Sequence, residues 1–317
     1  MKTILVTGCA GFIGSHLSVK LVKDGCLIVG LDNLNDYYNP LWKLENIKEI
    51  NNYSNFKFIK GDILDKNLLA NLFKKHKFDC VIHLAARAGV RPSIANPELY
   101  EEVNIRGTLN MLEAARNHEV KKFIFASSSS VYGNLSKIPF SEEDPVNFPI
   151  SPYAATKKAG EELCFTYSHL YDLPIICLRF FTVYGPRGRP DMAPYLFTKA
   201  IFEGQTINKY GDGSTSRDYT YINDIVKGVI SAINFKCKYE IFNLGNSQPV
   251  TLNKFINNLE KITGKKAAIK KMPMQPGDVE KTYADIIKAK KYLKYNPRTG
   301  FYEGLKKFVQ WYKKERM

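Results

Sequence analysis

Tyr153 and Lys157, in SPYAATKKAGEEL, are the two residues of this 317-residue chain whose types and spacing suggest chemistry most directly. They stand four apart at the start of a helix-forming run, so both side chains project from one face. A phenol ordinarily loses its proton only near pH ~10, too high for a good base at neutral pH. A neighbouring ammonium favours the phenolate and lowers that value, which makes Tyr153 a candidate general base and Lys157 its partner. Surface helices also carry this spacing by chance, so the pair needs a site around it. FASSSSVYG, residues 125–133, offers one: the apolar run FIF ends in four consecutive hydroxyls, Ser127 to Ser130. Serine runs usually make flexible linkers. At the end of a core strand in an open α/β sheet, ligands bind.

The opening of the chain supplies the other half. TGCAGFIGSHL places Gly8, Gly11 and Gly14 directly after the strand-like KTILVT and at the head of a helix. Glycines there permit a tight turn and close approach of a pyrophosphate, and the helix N-terminus offers free N–H groups. The second apolar run, LIVGLD, ends at Asp32, where a carboxylate suits ribose hydroxyls and repels a 2′-phosphate. NAD is therefore expected rather than NADP. A nicotinium cation would further favour a Tyr153 phenolate. Asp62, in KGDI, is either a neighbour of the adenine or a helix cap.

These residues require a scaffold, and the pattern specifies it. Short β-branched or aromatic runs (KTILVT, LIVGLD, FKFIKGD, CVIHLAA, KKFIFAS, PIICLRFF) alternate with amphipathic helical stretches. That predicts an α/β fold, a Rossmann-type doubly wound parallel sheet with helices on both faces. Residues 1–180 are expected to form the NAD-binding domain, and 181–317 mainly a smaller α/β substrate-binding region. A segment near 222–245 is expected to return to the first domain. The loops PRGRPDMAP, YGDGSTSRDYT and MPMQPGD punctuate the second part.

Composition narrows the function further. Charged or polar clusters interrupt every apolar run, so no membrane span is expected. MKTILVTG reads as a first strand rather than a signal peptide, which predicts a soluble, cytoplasmic protein. Six cysteines are far apart, with no CxxC and no histidine at ligand spacing, so free thiols and no metal are expected. The formal net charge of +15 is spread over lysine-rich helices and lacks any nucleic-acid-binding motif. No nucleic-acid partner is expected.

Together TGCAGFIGSHL, the strand ending at Asp32, GDI, HLAA, Val103-Asn104, SSSSVYG, YAATK and RDYTYINDI resemble the extended short-chain dehydrogenase/reductase superfamily over essentially the whole chain. The resemblance implies Ser128, Tyr153 and Lys157 as the catalytic group. It implies a cofactor groove of Gly8, Gly11, Phe12, Ile13, Gly14, Asp32, Asn33, Asp62, Ile63, Leu84, Ala85, Ala86, Asn104, Tyr153, Lys157 and Phe180. Dehydratases in the superfamily carry an Asp-Glu pair where this chain has Ser129 and Ser130, and decarboxylases usually carry Glu at the position of Ser130. RFFTVYGPRGRPDMAPYLFTKAI, LAARAGVRPSI and MQPGDVEKTYADIIKAKKYL are similar to the UDP-glucuronate 4-epimerases. That likeness implies reversible C4 epimerisation of UDP-glucuronate to UDP-galacturonate, with UDP-glucose 4-epimerase and UDP-glucuronate decarboxylase as alternatives. Ser129, Ser130 and Thr182 would hold the C5 carboxylate. Arg189 and Arg217 would hold the nucleotide and pyrophosphate, and Asp278 the uridine ribose. Arg87 stands where these epimerases usually carry Gln, and Arg187 where they often carry Trp; both are expected near the sugar pocket. The family commonly dimerises through two helices per chain, here near Glu101–His118 and Ala154–Tyr171.

Overall fold

The computed structural model describes residues 1–273 and 281–317. Seven strands form one wholly parallel sheet: β1 (Thr3–Thr7), β2 (Leu27–Asp32), β3 (Phe56–Lys60), β4 (Cys80–His83), β5 (Phe123–Ser128), β6 (Ile175–Phe180) and, much later, Tyr239–Leu244. The spatial order from one edge is β3, β2, β1, β4, β5, β6 and the late strand. The expected doubly wound parallel sheet is therefore what the chain builds. Strands covered by helices on both faces read as continuous apolar runs. Ile4, Leu5 and Val6 show why: all are fully buried, and each contributes about 1.5–3 kcal/mol of transfer free energy.

The switch in strand order falls between β1 and β4, the place where such sheets bind ligands beyond the strand ends. A line of side chains locks that point. His83, the last residue of β4, lies between Thr7 Oγ1, 2.8 Å from its Nδ1, and Thr108 Oγ1, 3.1 Å from its Nε2. Thr108 gives its only hydroxyl proton to the Asn104 carbonyl at 2.6 Å, so His83 Nε2 carries the hydrogen and Nδ1 accepts from Thr7. Burial, helped by the charge of Lys157, pushes the His83 pKa down to about 3 and keeps the ring neutral.

The late strand Tyr239–Leu244 is β10; the remaining strands form smaller sheets: β7 (Thr182–Tyr184), β8 (Thr206–Tyr210), β9 (Ser216–Tyr221), β11 (Pro249–Thr251), β12 (Ala268–Met272) and β13 (Lys281–Thr282). β9 pairs with β7, β11 and β13, and β8 pairs with β12. The stretch SRDYTY, read above as part of a loop, is thus a central strand. Its polarity concealed it. Asp218 is fully buried and accepts backbone N–H groups from Asn246, Ser247 and Ala284 at 2.7–3.1 Å, so a carboxylate organises the loops around the strand.

A second buried carboxylate docks the long helix Pro152–Tyr171 onto the main sheet. Glu161 is 1% exposed and grips Arg179 of β6, itself 2% exposed, through two bonds of 2.8 and 2.9 Å. Ser127 Oγ donates to Glu161 at 2.5 Å, and Arg179 also donates to the Tyr132 hydroxyl at 3.0 Å. Tyr132 in turn donates to Asn243 of β10 at 2.7 Å. Removing one member of such a pair leaves an uncompensated charge. Arg179→Met is expected to cost about 3–5 kcal/mol in urea unfolding, and adding Glu161→Leu should recover most of it. A single variant as stable as the parent chain would contradict this.

Candidate active site

The ends of β1, β2, β4, β5 and β6 open into one cavity of about 460 Å³, and the chain after β7 closes its far wall. Its β1 side is the glycine turn. Gly8 has φ +70°, and a Cβ there would sit 2.9 Å from the Ala85 nitrogen. A Cβ on Gly14 would collide with the Gly8 carbonyl. Gly11 caps the helix Phe12–Lys23 without any side-chain hydrogen bond to its first amides. Phe12, Ile13 and Gly14 line the cavity there. Asp32 is held by N–H bonds from Ala10 (3.0 Å) and Leu34 (2.8 Å). Burial raises its pKa and those backbone donors oppose the rise. Asn33 donates to Asp62 at 2.7 Å, and Asp62 accepts the Leu64 N–H at 2.9 Å. The next helix is capped instead by Asp65, so Asp62 is a turn residue that lines the cavity. A glycine cradle over a helix N-terminus, followed by a fixed carboxylate, fits a dinucleotide: anionic phosphates at the glycines, ribose hydroxyls at Asp32.

The opposite side carries the reactive groups. Ser151 caps the helix Pro152–Tyr171 by accepting the Ala154 N–H at 3.1 Å. Tyr153 and Lys157 follow on one face, and both line the cavity. Lys157 is 5% exposed, and its only hydrogen bond among the described residues runs from Nζ to the Ala126 carbonyl at 2.8 Å. Burial pushes its pKa down to about 8. Burial also raises the Tyr153 pKa, while a hydrogen bond with Ser128 and the charge of Arg189 pull it back. The Tyr153 ring stands edge-on to Tyr100, with centroids 6.3 Å apart. Its N–H donates to Ser93 Oγ at 3.0 Å. A phenol, a buried ammonium and the Ser128 hydroxyl at one spot can take a proton from a sugar hydroxyl.

The four serines separate into roles. Ser127 turns inward to Glu161, whereas Ser128, Ser129 and Ser130 line the cavity. Ser128 Oγ accepts the Ser130 N–H at 3.2 Å and donates to Ser130 Oγ at 3.1 Å. Thr182, Phe180, Ile63, Leu84, Ala85, Ala86, Arg87 and Arg189 also line the cavity.

Other expected residues lie elsewhere. Asn104, expected at the cofactor, sits in a π-helical turn at Glu102–Arg106 and is 2% exposed. Its amide bonds both the N–H (2.7 Å) and the carbonyl (3.0 Å) of Arg87 and reaches Thr156 at 3.0 Å. With both amide hydrogens used and its side chain buried, it shapes the wall rather than lining it. Arg187 reaches out of the cavity to Glu49 at 3.4 Å, so it is not in the sugar pocket. Arg217 is on β9, away from the lining, and donates to the Ser216 carbonyl at 3.0 Å. Asp278 lies outside the described residues. Arg189 makes two bonds to Asp191, at 2.9 and 2.5 Å, and its charge acts on Tyr153, at the reacting end of the cavity. Sequence reasoning missed Asn35, Tyr37 and Tyr38, in the loop after β2, and Lys43, in the helix Pro40–Lys48 that follows it; all four line the groove. The polar-aromatic run NLNDYYN was the available signal.

Residues 5–308 match the family model described as GDP-mannose 4,6 dehydratase. A UDP-glucuronate 4-epimerase of Thermodesulfobacterium geofontis is 47% identical over 314 residues, covering 99% of this chain and 97% of the relative. The crystal structure of UDP-glucuronic acid 4-epimerase from Bacillus cereus, in complex with UDP-glucuronic acid and NAD, is 40% identical. It superposes with a TM-score of 0.93 over 98% of this chain and 99% of that one. UDP-glucose 4-epimerase from Thermotoga maritima, with UDP-glucose, is 34% identical with a TM-score of 0.91, covering 98% and 99%. The chain belongs to the GDP-mannose 4,6-dehydratase family of the extended short-chain dehydrogenases/reductases.

Proposed function

We propose that this protein is an NAD-dependent isomerase that interconverts UDP-glucuronate and UDP-galacturonate at C4. The observation that carries the reading is the cavity wall facing Tyr153: Ser128, Ser129, Ser130 and Thr182 present hydroxyls, with no carboxylate among them. Dehydration needs an added acid and base, which serines do not supply at neutral pH. The family name therefore does not describe the reaction expected here. A wall of neutral hydroxyls satisfies a substrate carboxylate without a fixed cation. The similarity to glucuronate epimerases at 47% and 40% identity, against 34% for the glucose epimerase, points the same way.

NAD, when bound, supplies reversible hydride transfer at C4. The glycine turn and the first amides of the helix Phe12–Lys23 would hold its phosphates, and Asp32 its adenosine ribose. Tyr153 takes the C4 hydroxyl proton, assisted by the Ser128 hydroxyl. Lys157 lends its positive charge to the phenolate. The sugar then turns about its pyrophosphate, and Tyr153 returns the proton on the other face. The oxidised sugar is a β-keto acid, prone to losing CO2. Ser129, Ser130 and Thr182 restrain its carboxylate.

We read the two helices Gly107–Asn117 and Pro152–Tyr171 as the contact of a homodimer. They expose Leu109 (37%), Phe165 (51%), Leu170 (60%) and Tyr171 (44%), apolar area that a four-helix contact would cover.

Proton NMR of UDP-glucuronate incubated with the purified protein should show UDP-galacturonate without net NADH. UDP-xylose and CO2 would identify a decarboxylase, and conversion of UDP-glucose alone would reduce the serines to pocket lining. In the same assay Tyr153→Phe should lose roughly 10²–10⁴-fold in rate, and Thr182→Asn should lower the preference for glucuronate over glucose. Light scattering should give the mass of two chains, and Phe165→Lys with Leu170→Lys should give one. A monomeric wild type would refute the interface.

A further inference from the structure

Four cations line the cavity: Lys43, Arg87, Lys157 and Arg189. Three are engaged by the protein, Lys157 through the Ala126 carbonyl at 2.8 Å. Lys43 Nζ bonds the Asn35 carbonyl at 2.6 Å and its Oδ1 at 2.9 Å, and Arg189 holds Asp191. Arg87 differs. Its backbone is clamped on both sides by Asn104, yet its guanidinium has no hydrogen bond, ion pair or ring contact among the described residues. An arginine is charged at every accessible pH and presents five donors in a fork suited to phosphate or carboxylate. A rigidly mounted fork in a ligand cavity, with nothing of its own to bind, points to an anion on the ligand.

Two anions are available on the proposed reading, the dinucleotide pyrophosphate and the sugar carboxylate. Placement separates them. β4 lies between β1 and β5, and its exit presses on the glycine turn, with Ala85 packed against Gly8. Arg87 leaves the wall two residues later. Lys43, on the β2 side, loses basicity to burial; Asp32 opposes that loss, and the charge of Arg87 adds to it. Arg189 acts on Tyr153 at the sugar end, while Arg87 acts both on Lys43 and on Tyr100, whose ring stands edge-on to Tyr153. The backbone mount of Arg87, two residues beyond the contact of Ala85 with Gly8, sets it beside the glycine turn.

We propose that Arg87 clamps the pyrophosphate of bound NAD from the β4 wall, beside the amides of the helix Phe12–Lys23, and so retains the cofactor between turnovers. The inference rests on the NAD reading above and moves Arg87 from the sugar, where the family likeness put it, to the cofactor. Retention suits the chemistry, since C4 epimerisation is redox-neutral and needs no exchange of NAD. The interaction would be a charge-assisted, two-point contact, which Lys cannot reproduce.

The test uses the holoenzyme as purified, with Arg87→Gln and Arg87→Lys prepared alongside and thermal melting used to confirm folding. Bound NAD is measured after gel filtration, and its release is followed in NAD-free buffer at low and high salt. The glutamine variant should release NAD about tenfold faster, with weaker salt dependence, and the lysine variant should fall between. Release unchanged in both folded variants would overturn the clamp. An unchanged release rate with a raised KM for UDP-glucuronate, but not for UDP-glucose, would place Arg87 at the sugar instead and overturn it equally. A wild-type protein that carries and binds no NAD would overturn the cofactor reading itself, a result distinct from both.

Discussion

The site depends on how closely one helix sits on one strand. Lys157, Gly160 and Glu161 share a face of the helix Pro152–Tyr171, and each meets a successive part of β5. Lys157 bonds the Ala126 carbonyl, Gly160 rests on the Phe125 ring where any Cβ would collide, and Glu161 takes the Ser127 hydroxyl. Tyr153 is one turn before Lys157, so this contact fixes the distance between the phenol and Ser128 at the strand end. The glycine sets the closeness and the buried carboxylate sets the register. A helix moved out by one methyl would carry the base away from the hydroxyl it must assist.

Charge is distributed unequally across that contact. Glu161 has Arg179, the Ser127 hydroxyl and full burial, a structural ion pair whose attraction has to offset heavy desolvation. Lys157, four residues earlier, bonds a carbonyl and, among the described residues, no carboxylate; burial pulls its pKa to about 8 against the opposing charge of Glu161. An ammonium buried without a bonded carboxylate is a cost in stability that a catalytic role explains. From Arg179 the network continues through Tyr132 to Asn243, which donates to the carbonyls of Phe140 (2.9 Å) and Asp285 (3.3 Å). The strand that bears the catalytic serine is thereby tied to the segments that enclose the substrate side.

What the sequence disclosed was local. Gly8, Gly11 and Gly14, Asp32, and the pair Tyr153 and Lys157 each sit in a short stretch whose geometry follows from neighbouring residues. The parallel sheet followed from apolar runs long enough to be buried on both faces. What it concealed depends on distant parts of the chain. Asn104 carries no mark that it will be spent on the Arg87 backbone, because the π-helical turn that aims it is set by packing. Lys43, in the helix Pro40–Lys48, and the loop before it enter the cavity only once β2 and that helix are placed. β9 was misread because a buried Asp218 is stable only with its three backbone donors, none of them adjacent in sequence. Arg187 and Arg189 are two residues apart, yet one faces Glu49 outside and the other Tyr153 inside. The positive φ of 62° at Arg187 is a turn that spacing alone does not reveal.

The central claim is that one enclosed site removes hydrogen from C4 and returns the same hydrogen to the other face. UDP-glucuronate deuterated at C4 tests it directly. The account predicts UDP-galacturonate with deuterium retained at C4 and none lost to water. Protium at C4 of the product, with deuterium in the solvent, would contradict it.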